Sequence, residues 1–161
     1  IFLETDLFFV GQRPAINTGL SVSRVGGAAQ IKAMKKVAGT LKLELAQYRE
    51  MAAFAQFGSE LDKDTRERLH QGERMMEILK QPQYSPYKVE HQVVILYAVI
   101  NKYLSDVPVE KVKEFEKDFI TFMENNHPEV LEDIKVTKDL TEENEETLKS
   151  SIDEFRESYL H

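Results

Sequence analysis

From Gly27 onward the apolar residues of this chain fall into stripes three and four residues apart, and a chain patterned in this way packs helix against helix. Gly27, Ile31, Met34, Ala38, Leu41, Leu45, Tyr48, Ala52 and Ala55 trace one face of a long first helix. Gly39 within it predicts close packing or a mild bend, since glycine costs only about 1 kcal/mol against alanine in a helix interior. Phe57-Gly58-Ser59 ends the helix, because glycine readily adopts the left-handed conformation after a last turn. Leu61, Thr65, Leu69, Gly72, Met76 and Leu79 mark the return helix of a hairpin, stopped by Pro82 and Pro86. Ser85 and Pro86 suit the cap and first residue of a third helix, with Val89, Val93, Leu96, Val99 or Ile100, and Tyr103 inward. Val112, Phe115, Phe119 and Phe122 mark a fourth helix that fades before Asn125-Asn126-His127-Pro128. Leu148, Ile152, Phe155 and Tyr159 mark the last, with Thr141 as cap and Glu142 and Glu143 near the positive end of its dipole. The expected fold class is mainly α, an antiparallel helical bundle over residues 27–161.

Residues 1–26 have another texture. Phe2, Leu3, Leu7, Phe8, Phe9, Val10, Leu20, Val22 and Val25 are interrupted by Gly11, Pro14 and Gly19, which reads as short strands and turns. No later segment supplies strands to join them. Their partners are therefore expected upstream of Ile1, so the chain reads as a fragment and residues 1–26 as the strand and turn remnant of a truncated domain.

Composition excludes several functions. With no cysteine there is no disulfide framework, thiolate zinc site or cysteine nucleophile. No apolar run approaches the roughly 18 residues of a membrane span. Residues 1–100 carry 13 basic and 11 acidic side chains, and residues 101–161 carry 8 and 17, so no basic stripe invites nucleic acid. His70, His91, His127 and His161 are scattered. Glu142, Glu143, Glu145 and Glu146 point around a helix rather than converging on a metal, and Gly26-Gly27 lacks the Gly-Lys-Ser or Gly-Lys-Thr of a phosphate loop. The chain holds no complete catalytic machinery or metal site of its own.

One run stands out: Ser21-Val22-Ser23-Arg24-Val25-Gly26-Gly27-Ala28-Ala29-Gln30, an arginine at a strand end just before a helix. Together with Arg13-Pro14-Ala15-Ile16-Asn17, Leu43-Glu44-Leu45-Ala46-Gln47-Tyr48-Arg49-Glu50, Ala52-Ala53-Phe54-Ala55-Gln56-Phe57-Gly58-Ser59 and Leu79-Lys80-Gln81-Pro82-Gln83-Tyr84-Ser85-Pro86, it closely resembles the alpha subunits of F-type ATP synthases. The match is strong over residues 1–106 and extends beyond them in length and helical character.

That resemblance implies a division at residue 26: the last strands of an α/β nucleotide-binding domain, then the C-terminal helical domain. It implies that Arg24 reaches into the catalytic site of a neighbouring beta subunit. It implies that Arg13, Pro14, Gln81 and Gln83 line the adenine side of the alpha subunit's own non-catalytic site, which in the intact subunit takes ATP or ADP with magnesium. The hairpin at Phe54, Phe57, Gly58, Ser59 and Glu60 is expected near the central shaft. Implied partners are beta subunits, the gamma subunit of the shaft and the delta subunit of the stator, in a proton- or sodium-translocating complex on the cytoplasmic face of a bacterial plasma membrane. The fragment itself is expected to be inactive and to bind no cofactor. An independent helical interaction module is the competing reading, but it gives no reason for Arg24, Arg13 and Gln81-Pro82-Gln83 to occur together.

Overall fold

The structure, a computed structural model, describes residues 1–55 and 62–159. The described residues form helices α1 (Thr5–Phe9), α2 (Arg24–Ala29), α3 (Lys32–Ala38), α4 (Leu41–Ala55), α5 (Lys63–Ile78), α6 (Val89–Ile100), α7 (Val112–Asn126), α8 (Pro128–Thr137) and α9 (Glu142–Tyr159), with a 3₁₀ turn at Val109–Lys111. Among them no sheet forms; Leu3 and Ile16 make an isolated antiparallel bridge.

Helix α6 occupies the centre because its sequence leaves it little choice. Val93 to Val99 are apolar in every direction around the axis and all are buried, the condition of a helix enclosed by others. Helices α3, α5, α7 and α8 pack around it. Helix α9 closes the bundle against α7 through rings: Phe155 lies 5.1 Å edge-on from Phe115, 5.4 Å from Phe119 and 5.3 Å from Phe122. The expected Thr141 cap is present, its hydroxyl accepting from the Asn144 amide at 3.2 Å.

Several local expectations shift. The long first helix is three pieces. Gln30 and Ile31 are extended, and α3 then docks on the end of α8, where the Lys138 carbonyl accepts from the Ala33 amide at 3.1 Å and Asp139 pairs with Lys36 at 2.8 Å. Gly39 keeps helical dihedrals, but α3 ends at Ala38 and α4 begins at Leu41, so the helix is interrupted there where the sequence predicts continuity. The buried face of α5 centres on Gly72, Met75 and Ile78, one residue round from the expected stripe. Helix α8 lies where the sequence pattern predicts none; Pro128 in its first turn and buried Val130, Leu131 and Ile134 are what form it.

Helices α4 and α5 approach closely at Gly72. A Cβ placed there would lie 2.2 Å from Tyr48 Cδ2 and 2.6 Å from Tyr48 Cβ, so only glycine admits this crossing.

Residues 1–26 are extended only in part. Helix α1 takes the place of the expected strand at Leu7–Val10, because local bonds from Phe8 N to the Glu4 carbonyl and from Val10 N to the Asp6 carbonyl satisfy a backbone that has no sheet to join. Asn17 ties this segment to the bundle. Its Oδ1 accepts from the Gly19 and Leu20 amides and from Arg49 Nη1 on α4, and its Nδ2 donates to Glu4 Oε1. Yet Ile1, Phe9, Val10, Val22 and Val25 remain 71–82% exposed, a density of bare apolar side chains unlike the rest of the surface.

Candidate functional site

Two stretches remote in sequence meet at one cleft. Helix α1 presents Phe8, and the chain turns at Gly11, whose φ of 85° suits glycine, to bring Arg13 and Pro14 alongside. The Arg13 guanidinium lies 4.2 Å above the Phe8 ring. From the other side comes the loop after α5, whose Gln81 amide donates to the Arg13 carbonyl at 2.8 Å. Between them is a cavity of about 710 Å³ lined by Phe8, Arg13, Pro14, Ala15, Gln81, Pro82 and Gln83.

This lining suits a flat, partly polar ring. Phe8, Pro14, Ala15 and Pro82 supply apolar walls, and the Arg13 stem extends them. Gln81 Nε2 is engaged with the Ser85 carbonyl at 2.8 Å, which fixes its amide and leaves Oε1 as an acceptor. Gln83 has no hydrogen bond among the described residues, so both donor and acceptor are open. The structure thus brings Arg13, Pro14, Gln81 and Gln83 together and adds Phe8, which sequence reasoning missed. Its only signal was an aromatic residue a few positions before Arg13-Pro14.

Arg24 lies elsewhere, as the first residue of α2. The Ser23 hydroxyl accepts from the Gly26 amide at 2.9 Å and caps the helix, and a Cβ on Gly26 would crowd that hydroxyl at 2.8 Å. Gly26 and Gly27 sit inside α2. The Arg24 side chain is exposed, and among the described residues it has no ion-pair or hydrogen-bond partner. No acidic residue occupies the first turn of α2 either. A cation at the positive end of a helix dipole, without a counter-charge, carries a local electrostatic cost of a few tenths of a kcal/mol or more.

Phe54, on α4, is 77% exposed. Phe57, Gly58, Ser59 and Glu60 lie outside the described residues. Among the described residues no group of three acidic or histidine side chains could hold a metal ion, and no helix is long and apolar enough to cross a membrane.

The described residues thus form a helical domain that presents an open, mixed-polarity cleft and an exposed arginine. The chain belongs to the family described as ATP synthase alpha/beta chain, C terminal domain, which it matches over residues 30–155. It is 58% identical over 160 residues to a protein of Acetivibrio thermocellus named ATP synthase subunit alpha, and 56% identical over 160 residues to proteins of that name from Clostridium kluyveri and Clostridium botulinum. Each alignment covers 99% of this chain and 32% of the relative, so the chain spans about a third of their length.

Proposed function

We propose that this chain is the C-terminal part of an alpha subunit of an F-type ATP synthase, acting in sites that it shares with the rest of the complex. Arg13, Pro14, Gln81 and Gln83, with Phe8, form the adenine wall of the subunit's non-catalytic nucleotide site. The phosphates and magnesium of ATP or ADP are held by residues outside this segment. Residues 1–26 are the end of the nucleotide-binding domain and residues 27–161 the helical domain; the bare apolar side chains of the first segment support a covering domain there.

Arg24 serves a different site. A planar guanidinium offers a fork of donors to phosphate oxygens, so an exposed, unpaired arginine suits the catalytic site of a neighbouring beta subunit, where charge develops on the transferring phosphoryl group. Phe54, exposed near the end of α4, faces the gamma subunit together with Phe57, Gly58, Ser59 and Glu60, and delta joins the assembly at the stator. The complex is a peripheral assembly on the cytoplasmic face of the bacterial membrane, coupled to protons or sodium ions.

The observation that carries the nucleotide reading is the convergence of Arg13-Pro14 and Gln81-Pro82-Gln83 on one cavity. Equilibrium binding of ATP and of tripolyphosphate to the full-length subunit tests it. Gln83→Ala or Arg13→Ala weakens ATP about tenfold, the loss of one or two polar contacts to a base, and leaves tripolyphosphate unchanged. Unchanged ATP affinity in both variants refutes the adenine wall.

A further inference from the structure

The wall formed by Gln81, Pro82 and Gln83 belongs to no helix or strand; it is a loop between α5 and α6, and a charge pair on α7 holds it at its start. Lys113 Nζ donates to the Ile78 carbonyl at 3.1 Å, to the Lys80 carbonyl, and to Glu116 Oε2 at 2.7 Å. Those three bonds use all the donors of the ammonium. Lys80 is tied back to Glu77 on α5.

The decisive unit is one peptide plane. The Lys80 carbonyl and the Gln81 amide belong to the same rigid group. Its oxygen is held by Lys113 on α7, and its N–H is held by the Arg13 carbonyl at 2.8 Å. The direction in which the Gln81 side chain leaves the backbone, and the seat of Pro82 and Gln83 after it, follow from that plane.

Stability alone does not account for the pair. The Glu116 side chain is 2% exposed, and burial pushes its carboxyl above the usual carboxylate range despite the opposing pull of Lys113 and Tyr87. Replacing a buried ion pair by apolar side chains is commonly neutral or stabilising, so its use here is better sought in the geometry it specifies.

We propose that Lys113 and Glu116 are positioning residues for the nucleotide cavity: by orienting the Lys80–Gln81 peptide, they make base selectivity depend on the packing of α7. This rests on the reading of the cavity as an adenine site.

The test measures ATP, CTP and tripolyphosphate binding to the full-length subunit carrying this segment. The double variant Lys113→Met/Glu116→Leu removes both charges without orphaning either, and its melting curve reports folding. Its ATP-to-CTP affinity ratio falls about tenfold, while tripolyphosphate binds as before. Glu116→Gln, which removes the buried charge and keeps the shape of the side chain, moves the ratio in the same direction by about threefold. A wild-type ratio in a folded double variant, or in Glu116→Gln if the double variant does not fold, overturns the proposal. Arg13→Ala and Gln83→Ala separate the two ideas. If they lower ATP affinity and the α7 variants leave selectivity alone, the positioning role fails by itself; if they have no effect, the adenine reading fails and takes this proposal with it.

Discussion

Gly72→Ala should destabilise the bundle although it replaces glycine by the best helix former in the middle of a helix. The new Cβ would stand 2.2 Å from Tyr48 Cδ2, 2.3 Å from Cγ and 2.6 Å from Cβ. Carbon atoms pack at about 3.5–4.0 Å, so a displacement of more than ~1 Å is required. Turning the ring cannot supply it, because Tyr48 Cβ is itself too close; α4 and α5 must separate. Overpacking of this kind costs about 1–3 kcal/mol, and with the backbone involved the upper part applies, against about 1 kcal/mol gained in helix propensity. A net loss of about 1–2 kcal/mol lowers Tm by roughly 2–8 °C for a domain of this size. Gly27→Ala is the internal control. Nothing lies within 4 Å of a Cβ on Gly27 in α2, so the same exchange should be neutral or stabilising there. Urea and thermal unfolding followed by circular dichroism measure both. A Gly72→Ala midpoint equal to or above wild type would refute the close crossing of α4 and α5.

His91 should make the bundle acid-sensitive. Burial holds its pKa below the ordinary 6.5, although the Glu124 carboxylate 3.2 Å from Nε2 and Glu90 favour the charged ring and Lys88 opposes it. Its folded pKa lies below its unfolded one, so its contribution is present above about pH 6.5 and is lost as pH falls through the folded value. Wild type should therefore lose more stability than His91→Gln between pH 7 and pH 5, and equal slopes would contradict this. In limited proteolysis of this chain, cleavage should begin within residues 1–26, and Asn17→Ala should accelerate it by breaking the link to Arg49. Equal resistance of residues 1–26 and the bundle would argue against a boundary near residue 26.

Legibility in the sequence followed the number of solvent-facing sides. Helices α7 and α9 each bury one stripe, and Phe115, Phe119, Leu148, Ile152 and Phe155 announced them. Helix α6 is buried nearly all round, so a single-face description of it was too narrow. The signal of α8, Pro128 followed by Val130, Leu131 and Ile134, is confined to ten residues, too short a stretch for a helical period to stand out. Strand-like residues near the N-terminus have no sheet among the described residues, and only the Leu3–Ile16 bridge and short helices form there.

The cleft was legible only through family resemblance. Composition and spacing made Gln81-Pro82-Gln83 a turn, and nothing local says that a turn after α5 meets Arg13. The α7 pair had a readable sign. Glu116 falls within the buried run of Val112, Phe115, Phe119, Ile120 and Met123, where a carboxylate needs a partner, and Lys113 stands three residues before it.

Arg24 is the residue whose proposed role lies outside its own chain. Arg24→Ala should leave folding and assembly intact, because among the described residues the side chain is exposed and holds nothing. In the reconstituted complex, steady-state ATP hydrolysis should fall about 10³-fold or more, with a much smaller change in nucleotide affinity at the beta site, since the contact is made chiefly in the transition state. Lysine at this position should rescue poorly for want of a planar fork. Near-normal turnover in an assembled Arg24→Ala complex would contradict the account and leave this chain a structural part alone.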